Sequence, residues 1–96
     1  MKIKIRSEIE RVFGSISTLR IIGVMACNPN KNYTKYALAK NSMLNDRDVS
    51  YALKRLIEIG WVIEQNYGGI KMYKLNLNNE KVKLTIKFLR ELGYIE

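Results

Sequence analysis

The chain has 96 residues, 47% of them hydrophobic, with a single proline, which fits one packed domain of 1–96 and excludes a disordered tail. Seventeen Lys and Arg against nine Asp and Glu leave a net charge of +8, a sign that draws polyanions and favours nucleic acid or an anionic membrane surface over acidic small substrates. Histidine is absent and cysteine occurs once, so an internal disulfide, a Cys/His zinc site and histidine-based proton transfer are all ruled out.

In chain order, Lys2-Ile3-Lys4-Ile5-Arg6 alternates charge with Ile, a pattern suited to an edge strand or basic arm and unlike the apolar core of a signal peptide. Ser7-Glu8-Ile9-Glu10 has the form of a helix capping box, and Ile9, Val12, Phe13 and Ile16 follow at helical spacing. Gly14-Ser15 interrupts, and Ser15 or Ser17 can cap a second segment over 18–27. Cys27 ends its apolar run and is expected to be a small buried hydrophobe. That run is far below the ~20 residues of a membrane span, so no membrane association is expected and the predicted location is cytoplasmic.

Asn28-Pro29-Asn30 breaks the chain. Thr34 then caps a short helix from 35 to about 40. Asn45 caps a longer one, about 46–59, with Asp46 and Asp48 at the positive end of its dipole and Gly60 just past its end. The period now changes from 3.6 to 2. Two strand-like runs at 61–66 and 70–75 flank Tyr67-Gly68-Gly69 and read as a hairpin. Asn78-Asn79-Glu80 opens a last helix over 81–92, within a C-terminal stretch of 79–96. The predicted class is mainly α with a small β-hairpin wing: a winged helix-turn-helix of order α-α-α-β-β-α.

Two helices joined by a tight turn, with a hairpin after the second, let one helix brace the other and offer its free face to a major groove about 12 Å wide. At about 100° per residue, Val49, Ala52, Leu53, Leu56 and Ile59 gather on one side of the 46–59 helix. Arg47, Ser50, Tyr51, Lys54 and Glu58 gather on the other, with Arg55 at the margin as a phosphate contact. Arg can hold guanine O6 and N7 together, and Lys reaches the same edge or a phosphate.

Thr34-Lys35-Tyr36-Ala37-Leu38-Ala39-Lys40, followed by Val49-Ser50-Tyr51-Ala52-Leu53-Lys54-Arg55-Leu56 and on to Gly60-Trp61-Val62, resembles the core of archaeal and bacterial winged-helix repressors of the multiple-antibiotic-resistance and arsenical-resistance types. The resemblance spans roughly 9–77. It implies a transcriptional regulator binding double-stranded DNA, with no enzymatic step and no cofactor; the cysteine pair and histidines of metal-responsive relatives are absent, so no metal is expected. It places Arg47, Ser50, Tyr51 and Lys54 in the major groove, and Thr34, Lys35 and Tyr36 on phosphates. Lys71, with Tyr67 and Lys74, would represent the wing at about 61–75. Many relatives carry glycine where Met43 stands, so Asn41 is expected to supply any left-handed residue in the turn.

The apolar arc of the last helix, about 200° wide, predicts a homodimer formed through Val82, Thr85, Ile86, Leu89 and Leu92. Two other function classes share the fold: a protein-interaction module within a transcription or replication assembly, and a nonspecific chromatin or RNA binder.

Overall fold

The computed structural model describes the backbone of residues 3–96 and the side chains of 7–96. Helices α1 (Ile3–Phe13), α2 (Ile16–Cys27), α3 (Lys35–Ser42) and α4 (Asp46–Glu58) precede strands β1 (Val62–Tyr67) and β2 (Ile70–Leu75), and α5 (Glu80–Leu92) closes the order. The opening helix of the expected pattern is divided in two at Gly14-Ser15, where φ of Gly14 is +74°.

The amino end differs from expectation. Residues 3–6 are helical, so they form no strand, and Ser7 lies inside α1 instead of capping it. Lys2 lies outside the described residues. A strand needs a partner edge, and here β1 and β2 pair with each other while Tyr33 occupies the outer edge of β2 through an isolated bridge to Tyr73. Alternation over so few residues is also compatible with a helix, since Ile5, Ile9 and Phe13 recur every fourth position.

The core forms around α2 and α4. Ile21, Ile22, Met25 and Ala26 of α2 meet Val49, Ala52, Leu53 and Leu56 of α4, with Leu38 of α3, Tyr73 and Leu75 of β2, and Val82, Ile86 and Leu89 of α5 closing round them. Two inward expectations fail at helix ends. Cys27, the last residue of α2, is exposed, because the buried stripe ends on Ala26. Ile59 is exposed as well: it lies beyond the last turn of α4 at φ −92°, ψ 3°, and Ile57 packs against the core instead. Among the described residues, no helix is long and apolar enough to cross a membrane.

Gly23 is set by packing. A Cβ there would lie 2.8 Å from Cε2 of Tyr94, whose ring is fully buried against α2. Alanine at position 23 has the better helix propensity, by about 1 kcal/mol, yet must displace that ring. Gly23→Ala is therefore expected to lower stability by about 1–3 kcal/mol in urea unfolding, as overpacking does. An unchanged or raised midpoint would show that Tyr94 yields freely.

The turn between α3 and α4 corrects another expectation. Asn41 remains helical, its amide donating to the carbonyl of Ala37, and the left-handed residue is Met43, at φ 60°, ψ 31°. Helix α3 runs two residues further than expected, to Ser42, which moves the reversal onto Met43. The buried Ser42 hydroxyl donates to Leu38 O and accepts from Leu44 N at 3.3 Å, holding the turn from inside. A side chain in this region costs roughly 1 kcal/mol, and that of Met43 is largely exposed and contributes little burial. Met43→Gly is expected to raise stability by about 0.5–1 kcal/mol, read from the denaturation midpoint; a loss of stability would mean that the thioether packs usefully.

Candidate nucleic-acid interface

Local chemistry sets the aim of α4. Asn45 Oδ1 accepts from Asp48 N at 2.8 Å, fixing the first turn, and Asp46 and Asp48 sit where the helix dipole favours negative charge. The four buried residues of α4 hold one side to the core. The opposite side is open: Arg47, Tyr51, Lys54 and Arg55 are exposed and Ser50 is half-buried. The Arg55 guanidinium lies over the Tyr51 ring, 5.7 Å from its centroid. Arg55 thus orients an aromatic neighbour as well as presenting charge at the margin.

The start of α3 lies beside this face. Thr34 Oγ1 accepts from Ala37 N at 3.1 Å, which caps α3 and leaves the hydroxyl proton to donate outward. Lys35 and Tyr36 follow, both exposed.

The hairpin is anchored to the end of α4. Gly60, at φ +78°, turns the chain, and its carbonyl accepts from the side-chain amides of Asn76 at 2.9 Å and Asn79 at 3.3 Å. Asn76 N also donates to Trp61 O at 2.9 Å. The far end is a two-residue turn, Gly68-Gly69, between paired Tyr67 and Ile70. Both glycines have positive φ, 58° and 87°, which matches the twist of the strands and which few other residues adopt. Asn66 Oδ1 accepts from Gly69 N at 2.8 Å and locks the turn.

Between α4, the start of α3 and the hairpin lies an open cleft of about 250 Å³. Lys35, Lys54 and Lys71 border it with Ser50, over a floor that includes Leu53 and Tyr73. Three amines from three separate elements converge there. Two carboxylates, Glu58 and Glu64, also reach this cleft, and Lys71 Nζ lies 3.5 Å from Glu64 Oε1. Burial pushes the Tyr73 phenol above its ordinary pKa, and the neighbouring Glu64 carboxylate adds to the rise.

Sequence reading missed Glu64, although the signal was available. A two-residue turn at Gly68-Gly69 sets the register Asn66↔Lys71 and Glu64↔Tyr73, which puts Glu64 and Lys71 on one face of the hairpin. The same alternation separates Lys74 from Lys71. Lys74 lines a different hollow, with Ile63, Pro29 and Leu77, and does not join the cleft. Tyr67 stands exposed at the hairpin tip, its hydroxyl donating to Gln65 Oε1 at 2.7 Å.

Of the α5 residues expected at a subunit interface, Val82, Ile86 and Leu89 are only 1%, 6% and 1% exposed and belong to the chain's own core. Thr85 is half-buried, its hydroxyl donating to Lys81 O at 2.7 Å, and Leu92 sits at the edge. The side of α5 left open carries Leu84 and Phe88, at 63% and 46% exposure. Phe88 meets Phe13 of α1 edge-to-face, with ring centroids 6.1 Å apart.

No family model matches the chain, and no curated protein sequence does. Solved structures do. Reduced HlyU from Vibrio cholerae superposes with a TM-score of 0.62 at 20% identity, over 88% of this chain and 95% of that one. A MarR-family transcriptional regulator from Silicibacter pomeroyi reaches 0.70 at 10% identity, over 94% of this chain and 68% of its own length. A predicted DNA-binding transcriptional regulator from E. coli reaches 0.61 at 15% identity, over 96% and 99%. At such identities the likeness is one of architecture: mainly helical, with a braced helix-turn-helix and a two-stranded wing, this chain has the winged helix-turn-helix fold and resembles MarR-family regulators in it.

Proposed function

We propose that the protein binds double-stranded DNA sequence-specifically and regulates transcription in the cytoplasm, without a catalytic step. One observation carries this reading. The side of α4 that bears Arg47, Tyr51, Lys54 and Arg55, with the half-buried Ser50, is left open by the described residues, beside a cleft bordered by Lys35 and Lys71. An α-helix braced from behind fits a major groove, and the cleft beside it suits the passing phosphate backbone. Arg47 reads a guanine, Lys54 and Ser50 contact base edges or phosphates, Thr34, Lys35 and Tyr36 hold the backbone, and the wing acts mainly through Lys71. Lys74, on the other face of the hairpin, lies further from this path.

The occupant of the open α1/α5 face is a second copy of the chain. Phe13, Leu84, Phe88 and Leu92 leave apolar surface exposed there, and two-fold pairing would cover it on both copies. A dimer would set its two α4 helices on successive major grooves, about 34–36 Å apart, on a roughly palindromic site.

Selection from a random duplex library, followed by salt titration of the winning duplex, tests the reading. A defined motif should emerge, and its affinity should fall steeply with salt as phosphate counterions are released. Arg47→Ala should cost about 1–3 kcal/mol at that motif and relax preference at one base pair. If no sequence is enriched, or single-stranded RNA binds as well as duplex, the reading fails.

A further inference from the structure

The open face of α4 carries one group that charge attraction does not account for. Tyr51 is 62% exposed, on the helix side that it shares with Arg47, Lys54, Arg55 and the half-buried Ser50. It has no place in the apolar surface of α1 and α5, where Phe13 and Phe88 meet. Its ring is nonetheless oriented, because the Arg55 guanidinium sits over it at 5.7 Å from the centroid. An aromatic ring held outward on such a face offers apolar surface to whatever the helix meets. Among the edges displayed in the major groove, the thymine 5-methyl is the apolar group; the rest are hydrogen-bond donors and acceptors.

Resting on the DNA-reading role proposed above, we infer that Tyr51 is a thymine-methyl reader, steadied by Arg55 and working one helical turn beyond Arg47. Four residues rise about 6 Å along the helix, against about 3.4 Å per base-pair step. The thymine should therefore lie about two steps from the guanine held by Arg47. Contact here is through the ring face, so the tyrosine hydroxyl is dispensable for it. Arg55 is a positioning residue in this arrangement, in addition to any phosphate it meets.

The test begins with the full chain and the duplex it selects from a random library. Each thymidine of that duplex is replaced in turn by deoxyuridine, which removes the methyl group and nothing else. One thymine per half-site should then matter, its demethylation weakening binding by about fourfold, the worth of one buried methyl. In Tyr51→Ala the same replacement should leave affinity unchanged, while Tyr51→Phe should restore the discrimination. The residue is exposed, so both variants should keep the thermal midpoint of the parent chain. The assignment is overturned if no deoxyuridine position affects the parent protein, or if the loss persists undiminished in Tyr51→Ala. If the library enriches no duplex at all, the DNA-reading role itself falls, and this assignment with it.

Discussion

Replacing Arg20 by alanine is expected to destabilise the fold by about 2–4 kcal/mol, the largest loss from any single side chain considered in this protein. Glu10 of α1 is 4% exposed, and Arg20 of α2 grips it with a fork: Nε to Oε2 at 2.9 Å and Nη2 to Oε1 at 3.3 Å. Tyr94, beyond the end of α5, donates its hydroxyl to the same Oε2 at 2.8 Å. Hydrogen bonding to Glu10 raises the Arg20 pKa further above its ordinary value, so the guanidinium stays charged at any pH at which the protein folds. Arg20 Nη1 also points to Ser42 O at 3.5 Å, joining this network to the α3–α4 turn.

Removing the guanidinium leaves a carboxylate in a site where water cannot replace it fully, and that desolvation is what the mutant suffers. The side chain of Arg20 is still 29% accessible, which keeps the expected figure below that for a fully enclosed pair. Lysine at 20 restores charge but not the two-pronged geometry, so Arg20→Lys should recover only part of the loss. The double variant Glu10→Leu, Arg20→Met should lie closer to the parent than Arg20→Ala does, because the buried carboxylate goes with its guanidinium and the remaining cost is the Glu10 acceptor lost to the Tyr94 hydroxyl. Guanidinium unfolding of the four proteins measures this directly. A change below about 0.5 kcal/mol in Arg20→Ala would mean that the pair is no more than a surface contact.

Much of this architecture was legible because local signals and the global fold agree. Thr34, Asn45 and Asn79 cap the helices that they mark in the sequence, and Gly60 and Gly68-Gly69 turn the chain where positive φ is needed. Legibility failed where periodicity had to stand for packing. A helical arc of apolar residues on α5 holds both core and surface positions, and spacing alone cannot tell Ile86, which is buried, from Phe88, which is open. The ends of helices failed for a related reason: Cys27 and Ile59 continue an apolar stripe past the last residue that the core can reach. Within the candidate interface the α4 stripe was readable from its 3.6 period. The Glu64 carboxylate at the cleft and the separation of Lys74 from Lys71 depend on the strand register, which follows from the two-residue Gly68-Gly69 turn and not from periodicity within either strand.

The open side of α5 leads to the second large effect, which concerns binding more than folding. Phe88→Glu is expected to convert the proposed dimer to a monomer and to weaken binding to a two-half-site duplex by roughly 10²–10⁴-fold, the range over which linked sites exceed single ones. Phe88 is 46% exposed, flanked on its own helix by Leu84 and Leu92 one turn away on either side, and touched by Phe13. Within the chain a carboxylate there gives up the edge-to-face contact with Phe13, worth about 0.5–1.5 kcal/mol, and the burial of part of the ring, a modest loss for a residue this exposed. Across a two-fold axis the same substitution sets one charge near its symmetry mate inside an apolar surface, which is costly twice over. The expected pattern is therefore a small shift in unfolding midpoint, halved mass in sedimentation, and binding to an isolated half-site close to that of the parent chain. Lys87, the adjacent exposed residue, provides the comparison: Lys87→Gln shifts the net charge by the same one unit but should leave the mass unaltered. Should the parent chain itself sediment as a monomer with the winning duplex bound, the apolar surface of α1 and α5 belongs to some other partner and the spacing of half-sites has no basis.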